Sequence, residues 1–389
     1  MMKKIIDKHG DPDAVVFTNN KNSYYMIWGF EDTFEISSSV INGMDVMNTF
    51  QERINLWKKN SDDIAAVGYL SYDAKQMFFP KIKFKPIESP IPLIWFGKPK
   101  IIKEIRRDDF HSCYSKSSPI KKNVDLMSFK RYDEKINSIK SYLKAGDVYQ
   151  INYTQPMKYE FDTLSPLELF SSLSNKVTPN YGSYINIGSH QILSLSPENF
   201  FQKTNKSISS CPIKGTRTRS ENPIKDKLLK RELMNSKKDR AEHIMIVDLI
   251  RNDLGKICKF GTIKTNNLFK VYSFKTIHHM ITKIIGELKE EIQEKDIFQA
   301  LFPGGSVTGA PKQRSLEIID ELENYSRGIY TGTIGFISNA GDMNFNIAIR
   351  TLTLEDNMIT YPVGGGIVWD SKSRDEQEEA HHKSKILSI

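Results

Sequence analysis

Along this chain, stretches in which apolar and polar residues alternate with a period of two give way repeatedly to stretches with a helical period. Ala14 to Trp28 predicts a strand, a polar turn over Thr18 to Asn22, and a second strand whose Tyr24, Tyr25, Ile27 and Trp28 suit a pleated surface. Between Met44 and Trp57 the period changes, and apolar residues at 46, 47, 50, 54 and 57 line one helical face. Ala65 to Asp73 predicts an apolar strand, followed by a proline-studded stretch through Pro92 to Trp95.

Ser128 is placed to cap a helix in which Phe129, Tyr132, Ile136, Ile139 and Leu143 fall at steps of three and four, ending at Gly146. A strand over Val148 to Thr154 follows. Ser165-Pro166-Leu167-Glu168 combines an N-cap, a first-turn proline and a capping-box glutamate, predicting a helix through Leu173. Tyr181 to Ile187 with Gln191 to Ser196 reads as one hairpin, and Phe200 to Lys203 with Ser207 to Ile213 as another. Helices are expected from Asn222 to about Asn235 and from Lys237 to Gly255, then strands over Leu268 to Phe274 and Ile277 to Leu288. A helix from Pro311 to Glu323 precedes three strands, Ile329 to Ser338, Met343 to Leu354 and Met358 to Val368, whose tight turns make them antiparallel, and a last helix spans Ser373 to Leu387.

A length of 389 residues with 39% hydrophobic content allows two or three domains or one large intertwined one. The reading adopted is a sheet-forming N-terminal region over 1–96, a basic serine-rich connector over 97–127, and a catalytic domain over 128–389. The net charge of +8 invites a nucleic-acid-binding function. Between Lys98 and Lys122, however, eight Lys or Arg meet three Asp or Glu, so most of the excess sits in that one stretch, which lacks the interleaved aromatics of a stacking platform. No signal peptide or membrane span is indicated, which places the chain in the cytoplasm. Three cysteines, odd in number and far apart, argue against a disulfide framework or a four-cysteine metal site.

The candidate chemistry centres on Cys211-Pro212-Ile213-Lys214-Gly215-Thr216-Arg217-Thr218-Arg219. Lys214 follows an apolar strand and precedes a glycine turn, so its amine is held at a strand end with little freedom, although a lysine in such a loop is ordinarily a surface residue. Pro303 to Lys312 has the glycine spacing of a phosphate loop, but Ala310 stands where the lysine is required. Gly364-Gly365-Gly366 ends a strand and can offer amides to a carboxylate. Asp239/Glu242 and Glu376/Glu379 are each three residues apart on a helix; singly they read as helix surface, while together they offer hard oxygen donors to Mg²⁺. The adjacent histidine pairs 278/279 and 381/382 have no zinc-site spacing.

Taken in order, Gly146 to Asn152, Ser196-Pro197-Glu198, Pro212 to Thr216, Ala241 to Leu254, Phe302 to Lys312, Ile347 to Thr351 and Gly364 to Val368 resemble the chorismate-utilising enzymes from about Ser128 onward, and more loosely before it. The resemblance implies an α+β fold of two packed, mainly antiparallel β-sheets flanked by helices, with chorismate and Mg²⁺ bound between them. Members that add water carry a lysine base where this chain has Gln150, so the resemblance points to ammonia as nucleophile. Members that make anthranilate have alanine at the position of Lys214, whereas those that aminate ring C4 have the lysine, which implies 4-amino-4-deoxychorismate as product. The same resemblance gives Lys214 the role of nucleophile at ring C2, with a depressed pKa, and Glu198 that of general acid, with a raised one.

Carried over by position, Glu242 and Glu379 are the implied Mg²⁺ ligands, with Asp239 and Glu376 assisting through water. By the same resemblance Tyr330 and Arg350 match positions that grip the enolpyruvyl carboxylate, His279 and Ser306 match positions lining the ring side, Thr216 is a further substrate-binding residue, and Gly364, Gly365 and Gly366 offer a carboxylate cradle. Many relatives hold a tryptophan with a Leu-Leu-Glu-Ser-like stretch. The comparable strand here, Ala14 to Asn19, differs, and tryptophan binding is not expected. No glutaminase cysteine motif is present, so the ammonia is expected from a separate glutamine amidotransferase subunit. The rival within the family is the anthranilate-forming reaction; the rival outside it is nucleic-acid binding.

Overall fold

The computed structural model describes all residues except 1, 38–42, 60–62, 87–88, 90, 115–119, 121–122, 126, 162–164, 275–276 and 388–389. The described strands and helices form an α+β fold in which every strand pairing is antiparallel. Seventeen strands share one hydrogen-bonded sheet, and three more form a second.

Strands from both ends of the chain build the middle of the large sheet. Ala14–Phe17 lies between Ser23–Ile36 and Tyr181–Asn186, while Ile64–Leu70 lies between Ile94–Arg106 and Thr333–Ser338. The N-terminal region is therefore woven into the same sheet as the segments that follow it. The two halves of this sheet face each other across a shared core in which Ile185 and Ile192 meet Tyr69, Trp95, Ile334 and Phe336. Alternation along a single strand sorts its residues between cores: Ala14 and Val16 enter this one, Val15 the one on the opposite face. The helix Gly43–Trp57 buries Val46, Met47, Phe50, Ile54 and Trp57, the apolar stripe its sequence spaces out, against Phe96, Phe298 and Phe345.

Local signals account for several boundaries. Ser128 caps the helix Phe129–Ala145, whose chain turns out at Gly146 with φ 79°. Ser165 and Glu168 close both halves of a capping box on Pro166–Val177. Other expectations are corrected. The stretch read as a solvated connector begins as a strand, Ile94–Arg106, paired along its length with Ser23–Ile36, and continues as a helix, Arg107–Cys113. Its Ile101 and Ile105 pack against the core on one face and Ile102 against the core on the other, while Lys100, Lys103 and Arg106 stay exposed, so the charge lies along an ordered ladder; the rest of that stretch falls mostly outside the described residues. The strand expected over Met343 to Leu354 breaks at 347–350, where Ser196 Oγ donates to the Ile347 carbonyl (2.6 Å) and Arg350 adopts φ 50°. The last expected strand divides likewise, Met358–Thr360 joining the large sheet and Val363–Ile367 the small one.

The small sheet has Gln150–Gln155 at its centre, between Gly309–Ala310 and Val363–Ile367. It is anchored by a buried ion pair. Arg327 donates through Nε and Nη2 to the Glu323 carboxylate (2.7 Å each), and further to the carbonyls of Asn152 (2.7 Å) and Val307 (3.0 Å). Glu323 also accepts from the amide and hydroxyl of Thr154 (2.8 Å each). Breaking such a pair from one side strands a buried charge, so Glu323→Gln is expected to lower unfolding free energy by about 3–5 kcal/mol in a urea titration.

Candidate active site

Ser306, Tyr330, Arg350 and the glycines 364–366 converge, with residues from several other strands and helices, on a cavity of about 840 Å³. Its floor is the strand Ile213–Thr218, which pairs with Ile277–Glu287. Lys214 lies inside this strand rather than beyond its end, and the register slips between Lys214 and Thr216, where Gly215 has φ 75°. Residues with side chains avoid that conformation, so the glycine creates a bulge beside the lysine. The strand Gln191–Ser196 delivers Glu198 just past its end, and the break at 347–350 turns Arg350 toward the cavity. The helices Lys237–Gly255 and Ser373–Ser384 bring Asp239, Glu242, Glu376 and Glu379 to one wall.

Burial drives the electrostatics. It pushes the half-buried Lys214 amine below the ordinary lysine range, against the opposing influence of Glu242 and Glu198. Glu198, 6% exposed, is raised by burial to about 7, although Lys214, the Ser306 hydroxyl (3.0 Å) and the Ile213 amide favour its ionised form. His279 is held near 4 by burial, with Arg350 adding to the effect, and its Nδ1 meets the Thr216 hydroxyl at 2.9 Å while its buried Nε2 makes no hydrogen bond among the described residues. The Arg350 guanidinium makes no hydrogen bond or ion pair with any described residue, so a planar donor fork faces the cavity unmatched.

At the acidic wall, burial raises the carboxyls of Glu242 and Glu376, whereas Glu379 is lowered chiefly by Lys383. Lys383 Nζ bonds both Glu379 Oε1 and the Gly364 carbonyl, 2.8 Å each. Among the described residues, no group of three or more His, Cys, Asp or Glu side chains is gathered to hold a metal unaided. Carboxylates on two facing helices nevertheless suit a hard cation that keeps waters and takes further oxygens from a ligand.

A family model described as chorismate binding enzyme matches residues 11–388. The chain belongs to the chorismate-binding enzyme family. It is 40% identical over 262 residues to aminodeoxychorismate synthase component 1 of Escherichia coli K12, covering 67% of this chain and 58% of the length of that relative. It is 36% identical over 335 residues to anthranilate synthase component 1 of Saccharolobus solfataricus, covering 82% of this chain and 79% of that one. Among solved structures, anthranilate synthase component I from Streptococcus pneumoniae TIGR4 superposes with a TM-score of 0.82 at 23% identity, over 95% of this chain and 92% of that one. An isochorismate synthase, DhbC from Bacillus anthracis, gives 0.78 at 19% identity over 99% and 98%. These two likenesses establish the shared fold.

Within the family frame, every residue expected at the site lines the cavity except Gln150. Gln150 is fully buried in the central strand of the small sheet, its amide packed behind Gly366, where an added Cβ would meet it at 3.0 Å, and neither amide atom is hydrogen-bonded to a described residue. The side chain expected to meet substrate thus lies behind the cavity wall and not on it. Asp239 lies on the wall but bonds Arg217 (3.0 Å). Lys383 and Lys238 also line the cavity and were not anticipated. The signal for Lys383 was present, four residues after Glu379 on the same helix face. Lys312, at the end of the glycine-rich stretch that lacks a phosphate-loop lysine, is buried against Asp253 (2.6 Å).

The raised Glu198 carboxyl gives a stability signature. Between its ordinary value near 4.5 and about 7, the unfolded chain ionises this group while the folded chain keeps the proton, so stability falls as pH rises through that window. Glu198→Gln removes this contribution, and its unfolding free energy above pH 7 should exceed that of the unsubstituted protein by about 3 kcal/mol relative to the difference at pH 4, measured by denaturant unfolding at both pH values.

Proposed function

We propose that this chain is the chorismate-aminating component of an aminodeoxychorismate synthase, converting chorismate and ammonia into 4-amino-4-deoxychorismate, the precursor of 4-aminobenzoate and folate, in the cytoplasm. The observation that carries this reading is the Lys214 amine on the cavity wall, driven toward neutrality by burial, within electrostatic reach of a Glu198 carboxyl driven toward its protonated form by the same cause. Neutral amine and protonated acid are the forms that a nucleophile and a general acid require. By family resemblance, anthranilate-forming members have alanine at the position of Lys214.

Replacing a hydroxyl by an amine at one ring carbon with its geometry retained calls for two displacements. In the first, the Lys214 Nζ lone pair bonds to ring C2, the two ring double bonds each move one place, and the C4–O bond breaks. Glu198 gives its proton to the departing hydroxyl, which leaves as water, and regains one from the newly bonded lysine nitrogen. In the second, ammonia bonds to C4, the double bonds move back, the C2–N bond breaks, and a proton passes from the new ammonium group to the Lys214 amine. The enolpyruvyl carboxylate fits the Arg350 fork and the Tyr330 hydroxyl, while the amides of Gly365 and Gly366 face the ring carboxylate. Glu242 and Glu379, with Glu376 beside them, would hold Mg²⁺, which supplies positive charge to offset that carboxylate. The relatives named component 1 support a separate partner, and a glutamine amidotransferase subunit is the source of ammonia in this reading.

The decisive experiment incubates the protein with chorismate, Mg²⁺ and ammonium, adds an aminodeoxychorismate lyase, and identifies the aromatic product. 4-Aminobenzoate supports the proposal; 2-aminobenzoate formed without the lyase overturns it in favour of the anthranilate-forming reaction. Lys214→Ala is expected to lower ammonia-dependent turnover by about two orders of magnitude or more while leaving chorismate affinity largely intact, as read from steady-state kinetics and a binding titration.

A further inference from the structure

We propose that Arg217 and Asp239 are positioning residues for Lys214: their ion pair seats the glycine bulge from which the lysine enters the cavity, and Asp239 serves this purpose instead of assisting a metal. The inference rests on the nucleophile role given to Lys214 above.

Gly215 supplies the slip in register beside Lys214, and its surroundings show what supports it. A Cβ placed on Gly215 would lie 3.0 Å from Asp239 Oδ1 and 2.8 Å from Leu233 Cδ1, so the bulge rests directly on the two helices Pro223–Asn235 and Lys237–Gly255. Asp239 is itself fixed. Its Oδ2 accepts from Arg217 Nη2 at 3.0 Å, and its amide donates to the N-cap Ser236 Oγ at 3.2 Å. With one carboxylate oxygen on Arg217 and the other pressed on Gly215, Asp239 differs from Glu242, which lies one turn further along the same helix.

Arg217 ties these pieces together. Nε donates to Glu232 Oε1 (2.8 Å) on the first helix, Nη2 reaches Asp239 on the second, and Nη1 returns to the Thr216 carbonyl (2.9 Å) within its own strand. Two residues on, Arg219 repeats the device: Nε donates to Asp226 Oδ1 (2.7 Å), an oxygen that also meets His278 Nε2 (3.0 Å), and Nη1 donates to the Phe274 carbonyl (2.7 Å). The alternate arginines of the Lys214 to Arg219 run are thereby accounted for. They fasten the nucleophile's strand to the helices beneath it, and a small displacement of that strand moves the amine relative to the ring.

The test compares Asp239→Asn, Arg217→Met and Arg217→Lys in the full chain by three measurements. These are kcat at saturating Mg²⁺, the Mg²⁺ concentration giving half-maximal rate, and the rate at which Lys214 is acylated by acetic anhydride in metal-free protein, followed by peptide mass spectrometry. Expected results for Asp239→Asn and Arg217→Met are a kcat lower by about tenfold or more, Mg²⁺ half-saturation unchanged within about twofold, and altered Lys214 acylation, with the double variant no worse than the poorer single one. Arg217→Lys, which keeps the charge without the fork, should recover little of the loss and shows whether folding alone is at issue. A higher Mg²⁺ requirement in Asp239→Asn together with normal Lys214 acylation and an unimpaired Arg217→Met would return Asp239 to the metal and overturn the proposal. Full turnover by Lys214→Ala would instead sink the nucleophile reading, while the acylation rates would still report whether the pair positions the amine.

Discussion

A buried guanidinium must find acceptors for its N–H groups, and Arg327 finds them by drawing four separate pieces of backbone and side chain around itself. Its pairing with Glu323 joins the carbonyls of Asn152 and Val307 and the hydroxyl of Thr331, and its plane lies over the Tyr72 ring, 4.4 Å from the centroid. Asn152 is paired with Gly366, and Thr154, held by Glu323, is paired with Gly364. Val307 follows Ser306, which bonds Glu198, and Tyr330 lies three residues beyond Arg327. The glycine cradle, the Ser306 turn and Tyr330 therefore share one charged anchor, and the separation of the small sheet from the large one is set by a network that leaves little slack.

On that frame, one physical cause prepares two groups for opposite tasks. Withdrawal from water disfavours whichever form carries charge, so it lowers a lysine and raises a glutamic acid. Each also partly restores the other's charge through their mutual attraction. The balance favours burial at Glu198, which carries the acid near neutrality despite two hydrogen bonds to its ionised form. The Glu242, Glu376 and Glu379 wall is treated differently: burial raises Glu242 and Glu376, while Lys383, bonded to Glu379, and the nearby Lys238 and Lys214 favour the ionised carboxylates.

Much of the fold could be read from local pattern where local pattern is what decides it. The stripe from Val46 to Trp57, the Ser165 capping box and the antiparallel hairpins each depend on contacts a few residues apart. The misreadings have longer-range causes. The strand Ile94–Arg106 was concealed because its lysines were counted as charge, when what decides its structure is the pairing with Ser23–Ile36 and the packing of Ile101, Ile102 and Ile105 on its two faces. The break at Ile347 is imposed by Ser196, some 150 positions earlier in the chain, which no window of sequence contains. At the site, resemblance in ordered motifs identified residues that converge on one cavity, since residue type at a motif position survives where geometry is not visible. It could not show that Gln150 packs behind Gly366, nor that Asp239 is engaged by Arg217, because both depend on which neighbour a side chain meets across elements.

The central claim is that Lys214 bonds covalently to the substrate. It is tested most directly by mixing the protein with chorismate and Mg²⁺ in the absence of ammonia, quenching, and measuring intact and peptide masses. The account predicts a mass gain equal to chorismate less one water, located on the peptide containing Lys214 and discharged when ammonium is added. Turnover to the aminated product with no such species on Lys214, under conditions where the second step is starved of ammonia, would contradict it.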